Sequence, residues 1–350
     1  MRILELNFEK GWRGGERQTL YCLQGLSEAG VSVALACRAG TPMEAEARKL
    51  DVEVFAFPHI FQLIVFLITR GKRFDCLHAQ TSSVLTYCVF TKWIHGCKTV
   101  YSRRVNFMPK GYLTWLKYRY TDKLLAISEA IQETLIQFTH RTDIEIVSSI
   151  SVQEIIHPEI AATRMNALPL KGKKCIASMA AFTYEKDPFC LIEAIHILKQ
   201  KRADFIFLHF GEGRLKPEVE AKIASYGLEE TYILMGFVDE PQAYYPYFDV
   251  FVMSSLQEGL GSSVLDAFMY EVPVVSTLAG GLKNLISGQR GIAVNPGDPV
   301  ALATALNEML QYEKAHNPYI PAAKAYVEKQ HDMKQITQKL IDQFDRLCNH

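Results

Sequence analysis

Short, nearly uninterrupted apolar runs alternate along this chain with longer stretches in which apolar positions recur every three to four residues. In the first half the runs Arg2–Leu6, Val31–Cys37, Val52–Phe57, Phe74–Ala79, Lys98–Ser102, Lys123–Ile127 and Ile144–Val147 predict strands. Their length and their β-branched and aromatic content favour strand over helix. The amphipathic stretches Glu16–Ala29, Thr41–Leu50 and Ser128–Phe138 predict helices between them. Strands that are apolar on both faces and alternate with helices imply βαβ units around a parallel sheet covered on both sides.

Between Ser148 and Lys174 the apolar strands cease, Pro158 and Pro169 enter, and the stretch ends on the basic run Lys171-Gly172-Lys173-Lys174. A domain boundary falls in such a segment. The alternation then restarts, with strands at Cys175–Met179, Phe205–Phe210, Thr231–Met235, Val250–Met253, Val272–Ser276 and Gly291–Val294. Helices follow at Pro188–Lys199, Leu215–Ser225, Ser262–Tyr270 and Pro299–Tyr312, and the chain ends helical over Ala322–Cys348. The expectation is an α/β protein with an N-terminal Rossmann-like domain over 1–165, a second over 166–325, and a C-terminal helix over 326–350. Whether that helix returns to the N-terminal domain stays open. Two doubly wound domains facing one another would leave a ligand cleft at the carboxyl ends of their sheets.

At 350 residues the chain is too long for one typical core and suits two. Its formal net charge is zero, and no basic arm or acidic tail suggests a nucleic-acid partner. Eight scattered cysteines form no C-x-x-C pair, which favours buried reduced thiols over zinc or a disulfide framework. The opening Met1-Arg2-Ile3-Leu4-Glu5-Leu6 predicts a strand, its apolar run being too short for a signal peptide. The run Ile60–Thr69, closed by Arg70, Lys72 and Arg73, is about half the length of a membrane span. It reads either as a buried crossover helix or as a partly exposed apolar face rimmed by cations, which rests on an anionic membrane or receives a lipid acceptor.

The richest candidate chemistry lies at Glu258-Gly259-Leu260-Gly261-Ser262-Ser263-Val264-Leu265-Asp266, ahead of Pro273-Val274-Val275. A strand, a glycine turn and a helix start make an anion site, because glycines let backbone approach a ligand and the first helical N–H groups carry partial positive charge. Carboxylates would repel a phosphate, so Glu258 and Asp266 suit the hydroxyls of a sugar or ribose. An ordinary capped strand-turn-helix has the same pattern. Lys186, just before the helix start at Pro188, opposes the helix dipole and makes sense beside a bound anion. The turns Gly211-Glu212-Gly213 and Gly236-Phe237-Val238 end the next strands, and Gly14-Gly15 follows the first strand of the chain. The spacing G-x-G-x-x-G is missing there, which argues against NAD.

On these residues the chain resembles family 4 glycosyltransferases of the retaining GT-B fold. Glu258 to Val275 is similar to that family's pair of acids separated by seven residues and followed by Pro-Val-Val. Gly14-Gly15-Glu16 resembles its N-terminal glycine loop, Ala126-Ile127-Ser128-Glu129-Ala130 its late strand-to-helix turn, and Phe210-Gly211-Glu212-Gly213 its Gly-x-Gly turn. The resemblance implies a cytoplasmic enzyme, free or peripheral on the inner face of the membrane. It would move a sugar from a nucleotide diphosphate sugar to a glycan or lipid-linked hydroxyl acceptor in cell-surface glycan or lipopolysaccharide-type synthesis, with retention and without metal or cofactor.

It also implies Glu258 at the sugar hydroxyls, Asp266 at the ribose and Lys186 on the diphosphate. The backbone of Gly259, Leu260, Gly261, Ser262 and Ser263 would hold sugar and phosphates, Gly211 and Gly213 would line the donor, Gly14 and Gly15 would cover the diphosphate, and Phe237 with Val238 would border the base.

Three departures stand out. Asp266 replaces the usual Glu. The arginine that commonly accompanies the lysine falls at Ala181, with Arg103 and Arg104 as substitutes. The usual first-domain histidine is missing, with His78 as its stand-in. The alternatives are a non-catalytic sugar-nucleotide-binding subunit and a nucleotide-sugar epimerase on the same scaffold.

Overall fold

The computed structural model of the chain describes residues 1–153 and 158–348. They divide into two compact units, one of Met1–Ile150 with the chain from Gln330 onward, the other of Ser151–Lys329. The division therefore falls about one helix earlier than the sequence pattern places it. The helix Pro158–Asn166 belongs with the second unit, where Arg164 donates to the carbonyl of Met235 at 2.6 Å.

The first unit is built on seven parallel strands, β1 (Arg2–Asn7), β2 (Ser32–Arg38), β3 (Glu53–Phe57), β4 (Cys76–Ala79), β5 (Lys98–Arg103), β6 (Lys123–Ala126) and β7 (Glu145–Ile146). Their order is β3-β2-β1-β4-β5-β6-β7. The second unit has six, β8 (Lys174–Met179), β9 (Phe205–Phe210), β10 (Tyr232–Gly236), β11 (Val250–Met253), β12 (Val274–Thr277) and β13 (Ile292–Val294), in the order β10-β9-β8-β11-β12-β13. The central strands β8, β9 and β11 are buried along nearly their whole length, which is why they read as unbroken apolar runs.

Each sheet reverses its order once, between β1 and β4 and between β8 and β11. Connections on either side of such a point leave to opposite faces, opening a crevice beyond the carboxyl ends of the two strands where open α/β sheets hold ligands. In the second unit the two loops at that point carry Lys186 and Glu258.

The terminal helical stretch is two helices, Ile320–Gln330 and Met333–Cys348, rather than one. Buried His331 fixes the break, its Nδ1 bonding the Ser149 carbonyl at 2.8 Å, and Asp332 then accepts the N–H of Gln335. The last helix joins the first unit by burying Ile336, Leu340 and Phe344. Gly25 on the helix Gly14–Glu28 makes room for it, since a Cβ there would stand 2.1 Å from Thr337 Oγ1.

All eight cysteines are free and seven are buried. Burial pushes the thiols of Cys22, Cys88 and Cys175 up to about 12, so they stay protonated and act as small apolar side chains.

Candidate active site

The polypeptide leaving β8 makes a short turn at Tyr184–Lys186 and enters the helix Pro188–Lys201 through Asp187, whose carboxylate caps the N–H of Cys190 at 3.1 Å. The loop leaving β11 is stitched to it. Ser254 Oγ donates to the carbonyl of Lys186 at 2.9 Å, and the N–H groups of Leu256 and Gln257 donate to the Glu185 carbonyl at 2.8 and 3.2 Å. These bonds bring together two side chains 72 residues apart. The ammonium of Lys186 forms an ion pair with the carboxylate of Glu258, the two side chains being 25% and 15% exposed.

Glu258 is held from its other side too. Its Oε1 accepts the N–H of Gly259 at 3.2 Å, and its carbonyl accepts the N–H of Gly281 at 3.1 Å. Three residues on, Gly261 adopts φ 103° and opens the helix Ser262–Met269, a conformation that favours glycine. A Cβ at Gly261 would also lie 2.5 Å from Leu282 Cδ2. Gly259 to Ser263 thus form a tight backbone turn beside the carboxylate, running into a helix N-terminus. Asp266 is buried one turn further along that helix. Leu260 is buried in the core, so only its backbone can serve a ligand.

The glycines of the 211–213 turn have a different role from the one their spacing suggests. A Cβ at Gly211 would come within 2.1 Å of the Ala180 carbonyl, and one at Gly213 within 2.4 Å of the Phe182 carbonyl. Phe182 N–H donates to the Glu212 carbonyl at 3.2 Å and Leu215 N–H to that of Phe182 at 3.1 Å. The chain's own loop fills the space above these glycines. They seat the segment that carries Lys186, and Gly213→Ala is expected to cost about 1–3 kcal/mol, read as a lowered midpoint of urea unfolding. Phe237 of the next turn is exposed and Val238 half-buried.

His209 in β9 is a support that strand periodicity conceals. It is buried, its Nε2–H donating to the Ala180 carbonyl at 3.1 Å and its Nδ1 accepting the Tyr232 hydroxyl at 2.6 Å. Burial lowers it to about 4. A depressed histidine is neutral in the folded state while the unfolded chain binds its proton near pH 6.5, so its stabilisation is complete above that pH and lost as pH falls toward 4. A loss of about 3 kcal/mol is expected across this window, and His209→Gln is expected to flatten that part of the stability curve.

In the first unit Gly14 and Gly15 open the helix Gly14–Glu28 as expected, and a Cβ at Gly15 would meet no atom within 4 Å. The Glu16 carboxylate reaches back to the N–H of Arg13 at 2.9 Å, and burial pushes its pKa up.

Of the three substitutes the first unit offers, two are sealed. Arg103 is 1% exposed, donating to the Tyr118 hydroxyl at 2.8 Å and to the Phe107 carbonyl. It is a core side chain and offers nothing to a ligand. Arg104 is half-buried and donates to Gln80 Oε1 at 2.8 Å. His78 is fully buried, with Nδ1 on Glu5 at 2.7 Å and Nε2 on Ser102 at 2.8 Å, so both nitrogens are taken and it cannot stand in for a histidine at a reacting carbon.

Residues 12–149 match the model described as Glycosyltransferase Family 4, and residues 173–312 that described as Glycosyl transferases group 1. The chain belongs to glycosyltransferase family 4. The amylovoran biosynthesis glycosyltransferase AmsK of Erwinia amylovora is 32% identical over 182 residues, 49% of this chain and 45% of that protein. The 2-deoxystreptamine glucosyltransferase of Streptomyces kanamyceticus is 30% identical over 146 residues, 41% of this chain and 38% of that one. The matched part of this family member thus spans less than half the length of these curated relatives. HepE of Anabaena, solved with UDP and glucose, superposes with a TM-score of 0.86 over 99% of this chain and 100% of its own, at 17% identity. That likeness, with two doubly wound parallel sheets, is the GT-B fold.

Proposed function

We propose that this family 4 member transfers a sugar from a nucleotide diphosphate donor to a hydroxyl acceptor, with retention and without a metal, in the synthesis of a cell-surface glycan. The observation that carries the reading is the meeting of Lys186 and Glu258 at the switch point of the second sheet, beside a glycine turn and a helix N-terminus. AmsK, named for amylovoran biosynthesis, and HepE, solved with UDP and glucose, support the choice of chemistry.

Breaking the bond from anomeric carbon to phosphate leaves a diphosphate anion and an oxocarbenium-like sugar, so the site's main task is charge stabilisation. The Lys186 ammonium meets the leaving diphosphate, helped by the N–H groups that start the helix at Ser262. Drawing that ammonium onto phosphate releases the Glu258 carboxylate to accept hydrogen bonds from the sugar hydroxyls. Asp266 serves the ribose, and Phe237 with Val238 borders the base. The acceptor hydroxyl attacks from the face the diphosphate leaves, and a departing phosphate oxygen takes its proton. The acceptor is a glycan or lipid-linked sugar.

The sealed His78 favours one other reading, a sugar-nucleotide-binding subunit without turnover. Incubation with UDP-, GDP- and ADP-sugars, read by chromatography for free nucleotide diphosphate, separates the two. Slow release without acceptor supports the enzyme, and tight binding with no release against a broad acceptor panel leaves the subunit.

A further inference from the structure

The chain is neutral overall, yet its charge is unevenly placed. Residues 54–121 contain ten lysines and arginines against one acid, Asp75. The same segment holds twelve of the twenty-one large hydrophobic side chains exposed among the described residues. Three of its helices, Ile60–Arg70, Ser82–His95 and Tyr112–Tyr120, contain no acidic residue at all.

The helix Ile60–Arg70 resolves the two readings its sequence allowed, because both faces are apolar. Leu63, Phe66 and Leu67 are buried, while Phe61, Val65 and Ile68 form an outer stripe at spacings of four and three, Phe61 being 70% exposed. Phe90, Trp93 and Ile94 do the same on the helix Ser82–His95, with Trp93 89% exposed. The carboxyl ends of the three helices adjoin. A Cβ at Gly71 would lie 2.7 Å from that of His95, Cys97 Sγ donates to the Gly71 carbonyl at 3.1 Å, and Lys92 Nζ reaches the Tyr120 carbonyl at 3.2 Å and Asp122 at 2.6 Å. Arg70, Lys72, Arg73 and Arg119 at these ends are exposed, and none pairs with a carboxylate among the described residues.

We infer that this face of the first unit docks on an anionic phospholipid bilayer, with Phe61, Phe90 and Trp93 entering the headgroup boundary and the unpaired cations meeting lipid phosphates. Tryptophan, aliphatic stripes and a cationic rim poor in carboxylates are the chemistry of an interfacial surface. A second copy fits poorly, because a two-fold contact would set these cations against their own duplicates. The inference stands on this surface alone. A chain that takes up vesicles but no nucleotide sugar would sink the sugar-transfer reading and leave this one standing.

The test is cosedimentation of the full chain with vesicles of phosphatidylcholine, with and without about one third phosphatidylglycerol. Uptake is expected only on the anionic vesicles, lost at high salt, with a blue shift of tryptophan emission that disappears when Trp93 is replaced. The pairs Lys72→Glu with Arg73→Glu and Phe90→Ser with Trp93→Ser should each lower partitioning at least about tenfold. All four side chains are exposed, so melting temperatures should stay unchanged. Val300→Ser, an exposed position in the second unit, should have no effect. No uptake at low salt, or equal uptake by both double variants, overturns the inference. So does a dimer that the double variants dissolve while vesicle uptake persists, since the face would then belong to a second copy.

Discussion

Lys186→Met should leave the chain folded and lower the rate of sugar transfer by about 10²–10³-fold, the usual cost of removing one preorganised charge from a developing anion. Methionine keeps most of the apolar stem and removes only the ammonium. The Glu258 carboxylate, part-exposed and still bonded to the N–H of Gly259, can turn to water, so little stability is lost. Glu258→Gln keeps size and shape and removes the charge; it should also lower transfer at least tenfold, about 1.4 kcal/mol. Because donor binding separates the pair and gives each side chain its own partner, the double variant should lose at least the product of the two single losses. Measured kcat/KM for both variants and their double decides it, and wild-type rates from either single variant would remove that residue from the site.

Phe344→Ala should destabilise the first unit by about 3–5 kcal/mol. The ring is fully buried on the last helix and packs edge-on against His78, at 5.3 Å between ring centres, just where Glu5, His78 and Ser102 form a buried polar chain. Truncating it leaves a cavity beside those buried polar side chains. Urea unfolding followed by circular dichroism should show the loss, and a change below about 1 kcal/mol would mean that the helix contributes little.

The layered architecture is legible in the sequence because strands buried on both faces leave continuous apolar runs such as Phe205–Phe210. The switch-point loops are legible through residues that are poor choices for stability, such as a lysine at a helix entrance. What the pattern hides is contact across long separations. Nothing local tells that Lys186 pairs with Glu258, that Ser254 ties their loops together, or that backbone of the Ala180–Phe182 segment fills the space above Gly211 and Gly213. Arg103 misleads for the same reason, since an arginine at a strand end reads as available until Tyr118 and Phe107 are seen to enclose it. His78 likewise looks free in a strand whose partners, Glu5 and Ser102, lie 73 and 24 residues away.

Donor binding moves the Lys186 ammonium from the Glu258 carboxylate to the diphosphate. Thermal unfolding of wild type and Lys186→Met, each with and without a saturating nucleotide sugar, tests this most directly. Ligand at a hundredfold excess over its Kd stabilises a folded chain by about 2.7 kcal/mol. One donor among the UDP-, GDP- and ADP-sugars should raise the wild-type midpoint accordingly and leave the methionine variant nearly unmoved. Equal rises in both proteins, or no rise in wild type with any donor, would contradict it.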